Sequence, residues 1–263
     1  MDTVEAPALV RLAGVGIELV RLGRGRPIVF FHSHTGPEAS RPLLEHLAES
    51  GEVIAPSHPG FGRSELPRTL TTIDDLAYFY LDAFDELNLR DVTLVGSSFG
   101  AWIAMEMAIK DTSRLSSLVL IGAVGAKFGP REKSDVLDIF STPRARVEAL
   151  CYHDQRHALT DASGVDEATL EAVARHWDST ARFAWTPYMH DPKLRSRLHR
   201  VRRPTLVLWG AEDRIAPLEH GREYANAIPG ARFETIEAAG HFAHVDRPEA
   251  VAARIAAFVK AHS

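Results

Sequence analysis

The chain has 263 residues, of which 45% are hydrophobic and 25% charged, and a formal net charge of −5. That length suits one large α/β domain, or a core domain carrying an insertion, and the mildly acidic balance gives no reason to expect a nucleic-acid or membrane partner. Cys151 is the single cysteine, so no internal disulfide can form and a reducing, cytoplasmic setting is expected.

The N-terminal stretch MDTVEAPALV has neither a basic region nor a long apolar run, and does not read as a signal peptide. Leu9–Leu22 reads as two short strands around Gly14 and Gly16, a hairpin at a sheet edge. Pro27–Phe31 is the first buried strand. It runs into the small and polar loop His32–Pro37, followed by an amphipathic helix over Arg41–Ser50. Val53–Ala55 is the next strand and enters a turn-dense loop, Pro56–Ser64. Ile73–Leu87 is helical, with Leu76, Phe79, Tyr80, Ala83 and Leu87 at core spacing.

Asp91–Lys110, DVTLVGSSFGAWIAMEMAIK, organises the rest. An apolar strand passes into a helix through Gly96-Ser97-Ser98-Phe99-Gly100, the pattern G-x-S-x-G. A turn this tight forces its central residue into strain, and small residues on either side avoid collisions. The Ser98 hydroxyl is thereby lifted clear of the sheet, at the start of a helix whose free N–H groups favour a developing oxyanion. The bland alternative is a buried structural serine in a Gly-rich turn. Ser97, one place earlier, reads as a packing or hydrogen-bonding residue.

Leu115–Ile121 is another buried strand; Leu118–Ala126 is too short to span a bilayer. Strands and helices alternate to this point, which argues for a mostly parallel, doubly wound sheet of about eight strands with helices on both faces. From Ala126 to about Arg200 the rhythm breaks. Helices are expected at Arg131–Phe140, Pro143–Tyr152, Asp166–Trp177 and around Lys193–Leu198. This segment, 126–200, reads as a helical cap inserted in a core made of 1–125 and 201–263. The sheet resumes with Pro204–Trp209, a helix at Ala216–Ala227, a strand at Arg232–Ile236 and a closing helix at Pro248–Ala261.

An activated serine needs a base, and the base an orienting acid. Asp213 follows the strand Thr205–Trp209, and His241 follows the last strand, each at a strand end where open α/β sheets place their ligands. The order Ser98, Asp213, His241 is the one expected of this architecture. Glu212 is the competing acid and His244 a support or surface residue; Asp213 or Asp246 could instead cap helices. Histidines 153, 157, 176, 190, 199, 220 and 262 lack metal-ligand spacing and read as surface residues, with His190 a pocket candidate. One oxyanion donor is the Phe99 N–H, and the other should come from His32–Gly36.

The motifs FFHSHTGPEAS, SHPGFGRS, VGSSFGAW, WGAEDRIAP and GHFAHVDRP make the chain resemble the α/β-hydrolase superfamily over almost its whole length. The resemblance implies Ser98 as nucleophile, Asp213 as acid and His241 as base, and puts the second oxyanion donor on His34. It implies no cofactor and no metal. Relatives usually carry His-Gly where this chain has His32-Ser33, often Gly at His34, and Asp at Ser57. A serine at the elbow excludes the haloalkane dehalogenases and most epoxide hydrolases. HSHTGPEAS and IGAVGAKFG are similar to stretches of the meta-cleavage-product C–C hydrolases, with small-ester and lactone hydrolases nearly as similar. A small, fairly hydrophobic substrate is expected, in an apolar pocket drawn from Ser33, Trp102, Trp177, Phe183, Trp185, Tyr188 and Met189. A homodimer stays open. The contrasting reading is a receptor on the same fold that has lost turnover.

Overall fold

A computed structural model describes residues 7–130 and 132–262. Ala8–Leu12 (β1) and Val15–Leu22 (β2) form a hairpin whose two-residue turn, Ala13-Gly14, takes positive φ at both positions (47° and 77°). That geometry matches the twist of the flanking strands. There follow Pro27–Phe31 (β3), Arg41–Ala48 (α1), Glu52–Pro56 (β4), Ile73–Glu86 (α2), Val92–Ser97 (β5), Phe99–Lys110 (α3) and Leu115–Ile121 (β6). The segment between β6 and the next core strand contains Gly125–Ala126 (β7), Arg144–Cys151 (α4), Glu167–Ala184 (α5), His190–Asp191 (β8) and Leu194–Arg197 (α6). Thr205–Gly210 (β9), Leu218–Ala227 (α7), Arg232–Ile236 (β10), Ala243–Asp246 (α8) and Pro248–Ala261 (α9) complete the chain.

The main sheet has eight strands in the order β1-β2-β4-β3-β5-β6-β9-β10. β2 pairs antiparallel with β1 and β4; from β4 onward every pairing is parallel. Parallel strands are covered on both faces and so read as continuous apolar runs, as β5 does, with all six residues buried. One face packs under α2, α3 and α7 through Tyr80, Ile103 and Tyr224; the other packs under α1 and α9 through Leu44, Leu47, Ile255 and Phe258. α3 is buried at every residue but Lys110, because sheet and flanking elements enclose it on all sides. α2 starts on a reciprocal cap: the Thr72 hydroxyl accepts the Asp75 N–H (3.1 Å) and the Asp75 carboxylate accepts the Thr72 N–H (2.9 Å).

The insertion departs from expectation in three places. Its two ends are tied by a parallel bridge between β7 and β8, two short strands the pattern does not signal. α5 runs seven residues past Trp177, to Ala184. No helix forms over 132–140, while Arg131 lies outside the described residues. Aspartate side chains of this stretch instead bond amides before it and at its end. Asp135 accepts the N–H groups of Phe128 and Gly129 (2.6 and 2.9 Å), and Asp138 those of Phe140 and Ser141 (3.0 and 2.9 Å). Such local bonds compete directly with the helical ladder.

The loop after β4 is held by a carboxylate from the neighbouring strand. Glu18 of β2, 7% exposed, accepts from Arg63 N–H (2.9 Å), Arg63 Nε (2.6 Å) and Ser57 Oγ (3.2 Å). Burial alone would raise its pKa; the donors from Arg63 and Ser57 outweigh it and hold the carboxyl below its ordinary range. Glu18 thus places a buried carboxylate beside Ser57, where the resemblance leads one to expect an acid. Replacing Glu18 by Ala should lower the unfolding free energy by about 1–3 kcal/mol, because buried donors lose their acceptor. Urea denaturation measures it, and an unchanged midpoint would contradict this assignment.

Candidate active site

β5 ends at Ser97 and α3 begins at Phe99, leaving Ser98 alone to turn the chain. Ser98 sits at φ 50°, ψ −112°, a left-handed conformation that costs a side-chain-bearing residue about 1–3 kcal/mol. Its N–H is anchored to the Ile121 carbonyl of β6 at 2.8 Å. The flanking glycines are needed for space. A Cβ on Gly96 would lie 2.6 Å from Ala101 Cα, and one on Gly100 would lie 2.2 Å from the Phe31 carbonyl oxygen. The Phe99 N–H belongs to the first turn of α3, where amides have no intrahelical acceptor.

β9 and β10 are parallel neighbours, so the loops leaving their carboxyl ends emerge side by side. A Cβ on Gly210 would lie 2.0 Å from the Gly240 carbonyl oxygen, so the two loops touch. The Glu212 N–H bonds the Ala239 carbonyl at 2.9 Å. Asp213 Oδ1 accepts the N–H groups of Ile215 and Ala216 (2.8 and 2.9 Å), and its Oδ2 lies 2.8 Å from His241 Nδ1. His241 Nε2 in turn lies 2.8 Å from Ser98 Oγ. The tautomer follows from these partners. The carboxylate accepts, so Nδ1 carries the hydrogen and Nε2 offers its lone pair to the serine hydroxyl. Serine and imidazole are almost wholly buried, and so is the Asp213 side chain. Glu212 does not bond His241: it is half exposed and pairs with His153 at 2.9 Å.

Asp246, read from the sequence only as a possible helix cap, instead braces the loop that carries His241. Its Oδ2 accepts the N–H groups of Gly240 (2.8 Å) and His153 (2.9 Å), and its Oδ1 that of Asp154 (3.0 Å). It ties the His241 loop to the chain just after α4. Its sequence signal is only proximity to His241, because the groups it binds lie up to 93 residues away. His244 is fully buried, between Ser97 Oγ (3.4 Å) and Ser40 Oγ (3.1 Å). Ser97 is thus a hydrogen-bonding residue behind the elbow.

The loop after β3 is braced by two histidines in fixed tautomers. His32 Nε2 accepts the His58 N–H (2.9 Å), so Nδ1 carries the hydrogen and donates to the Ser33 carbonyl (2.6 Å). His58 Nε2 donates to the His32 carbonyl (3.1 Å), and Nδ1 accepts from the Tyr80 hydroxyl (2.6 Å). Burial pushes His58 down to about 3 and His32 well below its ordinary value. His176 and His220, expected at the surface, are buried too. His176 Nε2 accepts the Gly62 N–H at 3.2 Å, and His220 lies among the rings of Phe128, Trp209 and Tyr224. Apart from Tyr224, one turn along α7 from His220, these partners come from other elements, so local sequence could not reveal them.

The expected pocket residues divide. The Trp177 ring stands edge-on to His34 at 5.3 Å, and Phe183 is buried with its ring 6.4 Å from Phe99. Ser33 is buried, its hydroxyl 2.7 Å from that of Thr35. The others have different surroundings. Trp185 is 58% exposed and meets Phe140 at a tilt, with ring centroids 5.1 Å apart. The Tyr188 hydroxyl donates to the Leu137 carbonyl and accepts the Ile139 N–H, fastening the insertion to itself. Trp102 fills the space over Gly125 and borders a surface hollow of about 380 Å³ together with Ile73, Glu106 and His190. Met189 lines another hollow, beside Lys127 and Asp135.

The family model for the alpha/beta hydrolase fold matches residues 26–248, and the chain belongs to that family. It is a hydrolase by that membership. It is 28% identical to the 2-hydroxymuconate semialdehyde hydrolase of Pseudomonas sp. (strain CF600), covering 94% of this chain and 90% of the relative. It is 32% identical to the poly(3-hydroxyalkanoate) depolymerase of Ectopseudomonas oleovorans, over 83% of this chain and 78% of the relative. The fold superposes on that of the meta-cleavage product hydrolase from Pseudomonas fluorescens IP01 with a TM-score of 0.78, at 19% identity, covering 97% of this chain and 98% of that one.

The buried histidines set a pH dependence of stability. Burial lowers His34, His58 and His244 each to about 3, while in the unfolded chain they titrate near their ordinary 6.5. Between those values the unfolded chain binds protons that the folded chain refuses, so stability is full above about pH 6.5 and falls as pH drops. Each contributes a slope of about 1.4 kcal/mol per pH unit. Urea unfolding at pH 7.5, 6.5 and 5.5 should therefore weaken steeply across the last step. A flat profile would contradict the neutral, buried state of these side chains.

Proposed function

We propose that the chain is a cofactor-independent serine hydrolase. It cleaves the bond beside a carbonyl carbon, in an ester, a lactone or a C–C-linked ketone, of a small and fairly hydrophobic molecule. The observation that carries the reading is His241 bonded at 2.8 Å to both Ser98 Oγ and Asp213 Oδ2. Ser98 Oγ attacks the carbonyl carbon as His241 Nε2 takes its proton, and Asp213 holds the imidazolium that forms. The carbonyl π electrons move onto oxygen, which the N–H groups of Phe99 and His34 receive. Collapse restores the carbonyl, breaks the bond to the leaving group and returns the His241 proton to it. Water then adds to the acyl-serine by the same route, giving the acid and free Ser98. For a C–C substrate the departing group leaves as a stabilised carbanion and takes the same proton.

Segment 126–200 acts as the lid over this centre. Trp177 and Phe183 reach the nucleophile's surroundings from above, meeting Phe99 and the His34 loop, and this supports an apolar acyl group. The relatives' names support the two bond classes: one is a semialdehyde hydrolase, the other a polyester depolymerase.

Ser98→Ala and His241→Ala should each lower kcat for a p-nitrophenyl ester by about 10⁴-fold or more, and the double variant should lose little beyond either, because the residues act as a unit. Asp213→Asn should be severe but less complete. Losses that multiply in the double variant would overturn the assignment.

A further inference from the structure

Four side-chain nitrogens are buried without a hydrogen-bond partner among the described residues: His34 Nε2, Arg41 Nη2, Trp102 Nε1 and His220 Nε2. Arg41 lies on α1 and bonds Glu45 through Nε at 2.8 Å, on the side of the sheet that packs α9. Trp102 borders the outer hollow, and His220 is enclosed by three aromatic rings. His34 alone of the four stands on the loop proposed to receive the oxyanion. Its ring is held between Trp177 of α5 (5.3 Å) and Phe242, the residue after His241 (5.5 Å), and only 4% of its surface is exposed.

We infer that the His34 imidazole is a specificity-determining group that hydrogen-bonds an oxygen substituent on the substrate, a hydroxyl or oxo group close to the scissile carbonyl. The inference rests on the proposed serine hydrolase activity, whose base, His241, directly precedes Phe242.

A buried donor or acceptor left unpaired is a standing penalty, and interiors pair nearly all such groups. Among the described residues none partners Nε2, while the neighbouring histidines 32, 58 and 244 are all satisfied. The surroundings also define the ring's charge. Burial, then the proximity of His241, His176 and Arg144, lower its pKa to about 3. At neutral pH it is therefore an uncharged imidazole with one N–H and one lone pair. That suits a hydroxyl or carbonyl, and does not supply the full positive charge a carboxylate would favour. Van der Waals contact with Trp177 and Phe242 fixes the ring, so little rotamer freedom remains to be lost on binding. The side chain is separable from the loop's other proposed task, since the oxyanion is received by the backbone N–H of the same residue. A glycine here, which relatives often carry, would keep that amide and lose this contact.

The test uses isosteric ester pairs that exchange hydroxyl for methyl. These are p-nitrophenyl lactate against 2-methylpropanoate, and p-nitrophenyl 3-hydroxybutanoate against 3-methylbutanoate. Each kcat/KM is divided by the ester's rate with hydroxide, to remove intrinsic reactivity. The wild-type enzyme should favour the hydroxy ester in at least one pair by about tenfold, equivalent to about 1.4 kcal/mol. His34→Phe keeps the aromatic packing and should bring that ratio to about one; His34→Gln, which retains a polar group of similar reach, should restore part of it. Overall rates can fall in either variant without affecting this readout. Wild-type ratios near one in both pairs, or a preference that survives in His34→Phe, would overturn the inference while leaving the serine hydrolase reading intact. Failure of the wild type to hydrolyse any of the four esters, with Ser98 also inert, would overturn both.

Discussion

The arrangement depends on one ring with two obligations. The His241 imidazole must receive a hydrogen bond from Ser98 and give one to Asp213, both at 2.8 Å, although the three residues come from three loops at the carboxyl ends of β5, β9 and β10. The parallel order of β5, β6, β9 and β10 delivers those ends to one edge of the sheet. Close contact between Gly210 and Gly240 then brings the acid and base loops together, and the left-handed backbone at Ser98 raises the hydroxyl to meet them. A side chain at Gly210 or Gly100 would separate parts whose tolerances are tenths of an ångström.

Around this centre the protein uses neutral imidazole as a building material. His32 and His58 brace the loop after β3 in complementary tautomers, and His244 links Ser97 to Ser40 behind the elbow. A buried charge would be costly in each place, and desolvation keeps each ring uncharged. Rigid neutral donors and acceptors hold the backbone without adding positive charge near His241, which would resist the protonation proposed for it. His34 shares the burial and the neutrality, but among the described residues its Nε2 has no hydrogen-bond partner, and it stands on the loop proposed to receive the oxyanion.

Much of this was legible in the sequence, and for a physical reason. The elbow needs small residues at fixed offsets from Ser98, and the proposed acid and base sit in tight turns directly after apolar strands, so the arrangement leaves a local imprint at Gly96, Gly100, Gly210 and Gly240. Asp213 could be preferred to Glu212 because a turn points neighbours apart. The contacts that cross the chain left no such imprint. Glu18 answers Arg63 from 45 residues away, His176 accepts from Gly62 across 114, and Asp246 binds amides near position 153. The insertion was the least legible part. The 132–140 region has a helix-compatible composition, yet Asp135 is turned back onto the amides of Phe128 and Gly129 and Asp138 caps those of Phe140 and Ser141; and Trp185, apolar enough for a pocket, faces solvent.

The central claim is that Ser98 is a nucleophile activated by His241. The most direct measurement is covalent labelling of the folded chain with a fluorophosphonate, followed by intact mass and peptide mapping. The account predicts one adduct, on Ser98, formed rapidly in the wild type and slowed by orders of magnitude in a folded His241→Gln variant. An unreacted Ser98 in folded protein, or labelling that proceeds equally fast without the His241 imidazole, would contradict it.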